Sequence, residues 1–466
     1  MIGNQLIDQY ARHISDEKQH SVSDGAAAGT EKRYQVLYRD YPDPDALRKL
    51  AGSIKDHTLH HLGDYLAKAE QALTSRGAHV HFAATGADAC QTILSILQSH
   101  GATRLTKSKS MAAEEIHLNP FLIENGIECI ESDLGEFIIQ LDNDIPSHIV
   151  KPVIHKNRQG IARTFLREGI ASDYNDDPET ITRRARVHLR GKYMNAQACI
   201  TGANFVCADS GRLVLVTNEG NSRFGLAPVP VHIALVGIEK LVPRERDLAV
   251  FLNLLGRSAT AQQLTVYTEF INGPRSPTQA DGPEHFHVVF MDNGRSKILA
   301  GNCRQILRCI RCGACQNICP VYRQASGHAY RSPYGGPIGA VLSPLLFADR
   351  FPEFADLPKA STLCGACNEV CPVDIPLPDL LLRLRDKAHR AHIHSPAAIP
   401  MAPFATLATS PALWRAAMTM SKAMNHLPLQ IAPLKPLQDW LGQRSLPEAR
   451  GGEFRKWVKT RKKVNS

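Results

Sequence analysis

Seven cysteines in two short runs are the residues of this 466-residue chain best suited to chemistry. "CIRCGACQNICP" (309–320) spaces four thiols by gaps of two, two and three, and a proline follows the last. "STLCGACNEVCP" (361–372) repeats the pattern with Ser361 standing where the first run has Cys309. Thiolates at every third residue of a tight loop wrap three corners of an iron–sulfur cube, and a distant cysteine closes the fourth. The residues between the inner cysteines are small both times, Gly313-Ala314 and Gly365-Ala366, so backbone N–H groups can approach the sulfurs. Pro320 and Pro372 fix the backbone just past the outer cysteine and turn the chain away.

In two-cluster ferredoxins the fourth cysteine of such a run ligates the other cluster. That rule assigns Cys309, Cys312, Cys315 and Cys371 to cluster 1, and Cys319, Cys364 and Cys367 to cluster 2, which is left one thiolate short. Three accounts of the missing corner stay open. Cluster 2 is a 3Fe–4S centre needing three thiolates, or a 4Fe–4S centre whose odd iron takes Ser361, water or substrate, or it draws a sulfur from elsewhere, Cys303 being nearest in sequence. The 4Fe–4S form with one weak corner is the preferred reading, and Cys303 reads better as a spare buried thiol. Zinc would use two C-x2-C pairs for one tetrahedron, a poor match to a run of four thiols echoed by a run of three. Two neighbouring clusters, each taking one electron, can relay singly the two electrons of an alcohol oxidation.

The elements that must position these runs are partly legible. Residues 1–70 read as a polar helical segment, with "DPDALRKLAGSIKDHTLHHLGDYLAKAEQALTSRG" opening on capping chemistry and closing at Gly77. Over 71–300, short β-branched runs such as "AHVHFAA", "RLVLVTNEGN", "VHIALVGIEKLV" and "HFHVVFMD" alternate with helical patterns at 86–101, 111–126 and 244–259. That alternation predicts an α/β domain with a largely buried sheet. "IECIESD" and "FIIQL" bracket a turn. Residues 301–385 form the cysteine-bearing domain, its two runs joined by a small-residue loop (326–344), and 386–466 are a basic helical C-terminal region. Met418, Met420 and Met424 there read as packing residues rather than ligands.

Composition narrows the class. Hydrophobic residues make up 43% and charged residues 21%, with a mean hydropathy of −0.21, which excludes wholesale disorder. The N-terminus lacks the basic start and apolar run of a secretory signal, and no window approaches the roughly 20 apolar residues of a membrane span. The expectation is a soluble cytoplasmic protein whose clustered cysteines bind metal rather than form disulfides. The net charge of +9 is spread out except at "EFRKWVKTRKKVNS", a solvated end whose second reading is peripheral contact with an anionic membrane or acidic partner. Nucleic acid is not an expected partner, since no aromatic-plus-basic platform accompanies the charge. The sequence contains no G-x-G-x-x-G, Walker A or H-E-x-x-H motif, which favours a subunit that passes electrons over a self-sufficient dehydrogenase.

Here the sequence resembles a known family. The two cysteine segments (309–346 and 363–385), together with "TKSKSMAAEEIHLN" (106–119), 131–165, "ITGANFVCADSGRLVLVTNEGNSRF" (200–224) and "HVVFMDNGRS" (287–296), are similar to the lactate utilization protein B family of bacterial L-lactate oxidation. The likeness runs over nearly the whole chain, and the family shares the three-cysteine second run. The resemblance implies an α/β domain similar to isomerase and CoA-transferase folds, an α-helical two-cluster ferredoxin-type domain, and a helical C-terminal tail. It implies an electron-transfer role in oxidising L-lactate to pyruvate for growth on lactate, as a component of an L-lactate oxidoreductase complex rather than its full catalyst. The partners implied are a cysteine-rich iron–sulfur subunit and a smaller α/β lactate-utilization protein. The alternative is a self-sufficient hydro-lyase-like iron–sulfur enzyme working on a hydroxy acid at an open iron site. A regulatory or structural metal module is the third class, disfavoured because no DNA-binding module is recognisable.

No catalytic residue is assigned from the sequence. Lys107 to Ser110, before a helix, have the types to hold a carboxylate or phosphate. Glu114 and Glu115 suit a first helical turn. Asp133, Glu136, His148, His155 and Lys156 supply acid, base and cation types suited to a hydroxy acid. "TNEGN" (216–220) reads as a turn more readily than as a site.

Overall fold

The sheet at the centre of the fold takes its strands from the β-branched runs, and its parallel order follows from the helices between them. β1 (His79–Ala83), β2 (Arg104–Lys107), β3 (Glu128–Glu131), β4 (Ala198–Thr201), β7 (Val231–Gly237) and β10 (His285–Met291) form one six-stranded sheet in the order β1-β10-β7-β4-β2-β3. Every pairing in it is parallel. All residues of β4 and β7 are buried, as strands covered on both faces must be. A second sheet, β8-β5-β6-β9, comprises β5 (Phe205–Cys207), β6 (Leu213–Thr217), β8 (Leu241–Val242) and β9 (Tyr267–Ile271). This is the computed structural model of the chain; it describes residues 14–393, 401–421, 448 and 450–464.

Helices Gly86–Ser99 and Leu118–Glu124 bury Ile93, Leu97, Leu118 and Leu122 against one face of the large sheet. The other face packs on helix Leu62–Thr74 and on β5 and β6. The expected helix over 111–126 is two pieces, Met111–Glu115 and Leu118–Glu124, because His117 enters the left-handed region (φ 52°) and stops the first. The turn expected between "IECIESD" and "FIIQL" is the start of a helix, Leu134–Leu141, capped by the Asp133 side chain. Within the segment expected as a loop over 326–344, Gly336–Leu346 is a buried helix.

The cysteine segment does not stand apart from the α/β region. Both lie in one compact unit, Met1–His394. Helices Asp16–Asp40 and Pro44–His60 pack with it in a single hydrophobic cluster that contains Val22, Leu37, Ala51, Phe251, Cys312 and Cys371. Arg48 donates to the carbonyls of Cys371 and Asn368, each at 2.7 Å, and Arg33 donates to that of Val370. Tyr322 donates to Ser147 O (2.7 Å), and Ile149 N–H donates to Gln316 Oε1 (3.2 Å). The second unit, Ser395–Ser466, contains helices Met401–Thr409, Pro411–Met420 and Glu453–Val464. In it Met420 is 73% exposed rather than packed, Met418 is half-buried, and Met424 lies outside the described residues. Among the described residues no helix is long and apolar enough to cross a membrane.

The tightest point of the junction is Gly327, where a Cβ would lie 1.8 Å from the carbonyl oxygen of Ser147. Gly327→Ala is expected to cost about 1–3 kcal/mol through overpacking, read as a lowered unfolding midpoint. An unchanged midpoint would show that the two regions are not clasped there.

Candidate functional site

The two cysteine runs fold alike because they place glycine and a second left-handed residue at the same positions. Arg311 and Gly313 have φ of 61° and 73°, and Leu363 and Gly365 have φ of 54° and 84°. Each glycine precedes a short helix, Ala314–Ile318 and Ala366–Glu369, so successive N–H groups turn inward toward the sulfurs. Arg311 N–H donates to Cys309 Sγ and Ile375 N–H to Cys371 Sγ, both at 3.4 Å. At the matching point of the second run, Leu363 N–H donates to Ser361 Oγ (3.1 Å). The hydroxyl of Ser361 therefore takes the backbone donor that the sulfur of Cys309 takes. Gly313 also leaves room for its neighbour: a Cβ there would sit 2.9 Å from His148 Cε1.

The sulfurs sense one another across the two runs. Burial, and then the sulfurs of Cys309 and Cys371, push the Cys312 thiol up to about 12. Cys315 is pushed far up by burial and then by Cys309, Cys312, Cys367 and Cys371. Cys367 rises to about 12 through burial and the sulfurs of Cys319 and Cys364. Burial raises Cys319 as well, with Cys364 adding to it. Cys364, exposed, is lowered instead, chiefly by the N–H of Ala366. Sulfurs this crowded and buried stay protonated unless a cation beside them carries the charge, as a coordinated iron does. The donor set, seven sulfurs with the Ser361 hydroxyl at the position matching Cys309, fits iron–sulfur clusters. Such clusters, when bound, supply one-electron redox chemistry.

Cys303 stands apart from these seven sulfurs. It is buried, its Sγ donates to Asn302 Oδ1 (3.4 Å), and the charges it senses are Arg383 and Lys387. As a spare thiol it matches one expectation, and as a fourth donor it is out of place.

The α/β region and the cysteine segment together line a cavity of about 680 Å³. It opens at the carboxyl ends of adjacent strands: Ser108–Ser110 follow β2, Gly202–Asn204 follow β4, and Glu239–Lys240 follow β7. Arg311, from between two of the cysteines, forms part of its wall. Glu239 bridges Arg295 Nε (2.5 Å) and Arg311 Nη2 (3.2 Å) with only 1% of its side chain exposed. Burial alone would raise its carboxyl, but the two guanidinium groups outweigh that and hold it at about 2. Arg295 also grips both oxygens of Glu115 (2.9 Å each), whose Oε2 accepts from Tyr334 OH (2.8 Å). Glu115 is thus a buried partner of this arginine, where the sequence suggested only an acid suited to a first helical turn. Burial, and then Arg311, lower Lys240 to about 8. Glu219, from "TNEGN", lines the same cavity, and burial followed by the Asp133 charge raises it to about 7. A segment read as a turn thus contributes to the wall, through a contact invisible to local sequence.

The other polar candidates are structural. Lys107 is fully buried and ringed by Glu131 (2.9 Å), Glu114 (3.2 Å) and Glu136 (3.7 Å), which leaves it nothing to offer an anion. Lys109 pairs with Asp133 (3.4 Å) and Ser110 caps Met111–Glu115, although both face the cavity. His155 lies between Ser147 Oγ (2.7 Å) and Asp144 Oδ2 (3.0 Å), and Lys156 pairs with Asp142 (2.8 Å). His148 Nε2 donates to Asn317 Oδ1 (3.1 Å), and burial lowers its ring to about 3, a neutral strut against the first cysteine run.

Comparison with known proteins agrees with this layout. Residues 66–291 match the LUD domain, 305–375 the 4Fe-4S dicluster domain, and 384–463 the lactate utilisation protein B C-terminal family. Lactate utilization protein B 2 of Bacillus mycoides and lactate utilization protein B of Bacillus thuringiensis and Bacillus cereus are each 42% identical, over 97% of this chain and 96% of theirs. The chain belongs to the lactate utilization protein B family. A crystal structure of a DUF162 family protein from Deinococcus radiodurans overlaps 49% of this chain and 98% of that one, at 11% identity and a TM-score of 0.29, too distant to carry an argument. In this family member, then, a parallel α/β LUD domain and a 4Fe–4S dicluster domain meet around one cavity.

Replacing Glu239 by Gln leaves two buried guanidinium groups short of their shared counter-charge, and breaking a buried pair from one side costs about 3–5 kcal/mol. Glu239→Gln should therefore lower the unfolding midpoint far more than Glu128→Gln, whose pair with Lys192 is exposed. Equal effects would contradict the structural role given to Glu239.

Proposed function

We propose that this chain is the iron–sulfur electron-transfer subunit of a cytoplasmic complex that oxidises L-lactate to pyruvate and so permits growth on lactate. The observation that carries the reading is the interleaving of the cysteine runs: Cys371 lies within electrostatic reach of Cys309 and Cys312, while Cys319 lies within reach of Cys364 and Cys367. Relatives that match almost the full length bear the name lactate utilization protein B, which supports lactate as the fuel.

In this reading Cys309, Cys312, Cys315 and Cys371 hold one 4Fe–4S cluster, and Cys319, Cys364 and Cys367 hold the second. Residues 71–300 serve as the α/β domain, 301–385 as the ferredoxin-type domain, and 386–466 as a basic helical tail. A cysteine-rich iron–sulfur subunit and a smaller α/β lactate-utilization protein complete the complex. The hydro-lyase-like alternative needs its substrate at the incomplete corner of the second cluster. None of Cys319, Ser361, Cys364 or Cys367 borders the cavity, whereas Arg311 beside the first cluster does, and that favours electron transfer.

Cys312→Ala is expected to abolish growth on L-lactate while leaving growth on glucose intact; normal growth on lactate would remove the pathway assignment. At the second cluster, Ser361 occupies the place equivalent to Cys309, and an oxygen donor holds iron less firmly than a thiolate. Mild oxidation should convert this centre to a three-iron form visible by electron paramagnetic resonance, and Ser361→Cys should suppress that signal. A signal equal in both proteins would show that position 361 does not face the fourth iron.

A further inference from the structure

The cavity walls carry more positive charge than the protein itself uses. Six basic side chains line it against three acidic ones. Several of these cancel: Arg295 is taken up by Glu115 and Glu239, and Lys109 by Asp133. Lys151 donates to Gly25 O (3.3 Å) and Arg158 faces Asp176 (3.6 Å), so two cationic groups remain. Lys240, half-buried, has no carboxylate or carbonyl partner among the described residues. Arg311, 8% exposed, spends Nη2 on Glu239 and rests on the Tyr334 ring (4.8 Å), but its Nη1 is buried with no hydrogen-bond partner. An orphaned guanidinium donor is costly to keep, and Arg311 also holds a left-handed backbone at φ 61°, a conformation that taxes a non-glycine residue.

The position is the second, independent pointer. Ligands of open α/β sheets bind in the crevice outside the carboxyl ends of the strands, and the residues following β2, β4 and β7 supply Ser110, Asn204 and Lys240 to this wall. The opposite wall is Arg311, two residues after Cys309 and next to Cys312.

We infer that this cavity binds a small carboxylate of the 2-hydroxy or 2-oxo acid class, its carboxylate gripped by Lys240 and by the unpaired Nη1 arm of the planar Arg311 fork. The inference rests on the lactate reading above and deepens it: this chain, and not only its partners, receives the acid. Arg311 then links acid and cluster physically, since the residue that grips the ligand also donates its backbone N–H to Cys309 Sγ. A bound anion therefore changes the electrostatic surroundings of that sulfur.

The test uses the full chain, reconstituted anaerobically and matched for iron and sulfide. It is titrated calorimetrically with L-lactate, pyruvate and inorganic phosphate, and the reduced protein is followed by electron paramagnetic resonance. One carboxylate should bind per chain and shift the spectrum of the cluster next to Arg311. Lys240→Gln should weaken binding roughly tenfold or more, as losing a charge-assisted contact does, with cluster content unchanged. Arg311→Lys, which keeps the charge but removes the fork, should weaken it too; if that variant loses iron, Lys240→Gln alone decides. The inference is overturned if neither acid binds the fully loaded protein, if phosphate binds as tightly as both, or if Lys240→Gln binds as the parent does. Absent binding, together with a Cys312→Ala strain that cannot grow on lactate, would sink this site and leave the proposed function standing. A Cys312→Ala strain that grows normally would sink the function whatever the cavity binds.

Discussion

Charge is the constraint on which the rest of this structure depends. Thiolates buried in apolar surroundings persist only where positive charge lies beside them, and here seven sulfurs converge at a junction of helices. The protein's own contribution is modest: inward N–H groups from left-handed turns, and the guanidinium groups of Arg33 and Arg48, whose main bonds go to carbonyls of the second run. Two clusters of iron would supply the remainder. The N-terminal helices, the small-residue turns and the clasp at Gly327 all hold the two runs together at that junction.

That requirement explains why the LUD domain and the cysteine segment are not separable. His148, Ile149 and Ser147 reach from the α/β region to Asn317, Gln316 and Tyr322. In return, Arg311 and Tyr334 reach back to Glu239 and Glu115. The buried network Glu115–Arg295–Glu239–Arg311 runs from the helix after β2 to the loop between two cluster cysteines. A path of ionic contacts thereby joins the cavity to the first cysteine run.

The sequence was most informative where chemistry is local. Cysteine spacing, the glycines between the thiols and the prolines after them reflect short-range geometry, so the paired runs and the deviant Ser361 could be read directly. Alternating β-branched runs announced a buried sheet, because strands covered on both faces must be apolar throughout. Contacts between distant segments were not legible. Nothing around Glu115 or Glu219 in the chain tells of Arg295 or of the cavity, and Lys107, which looked available to an anion, is consumed by three carboxylates from separate elements. The helix break at His117 depends on one left-handed residue that periodicity cannot sense. Arg311 has one local signal, a large cation between two cysteines of the first run where the second run has leucine.

The most direct test of the account is metal analysis of the chain prepared without oxygen, joined to electron paramagnetic resonance of the fully reduced protein. Two nearby clusters predict about seven to eight iron atoms per chain with matching labile sulfide, and a spectrum broadened by interaction between two spins. Four iron atoms or fewer, zinc in their place, or two spectra that ignore each other would contradict it.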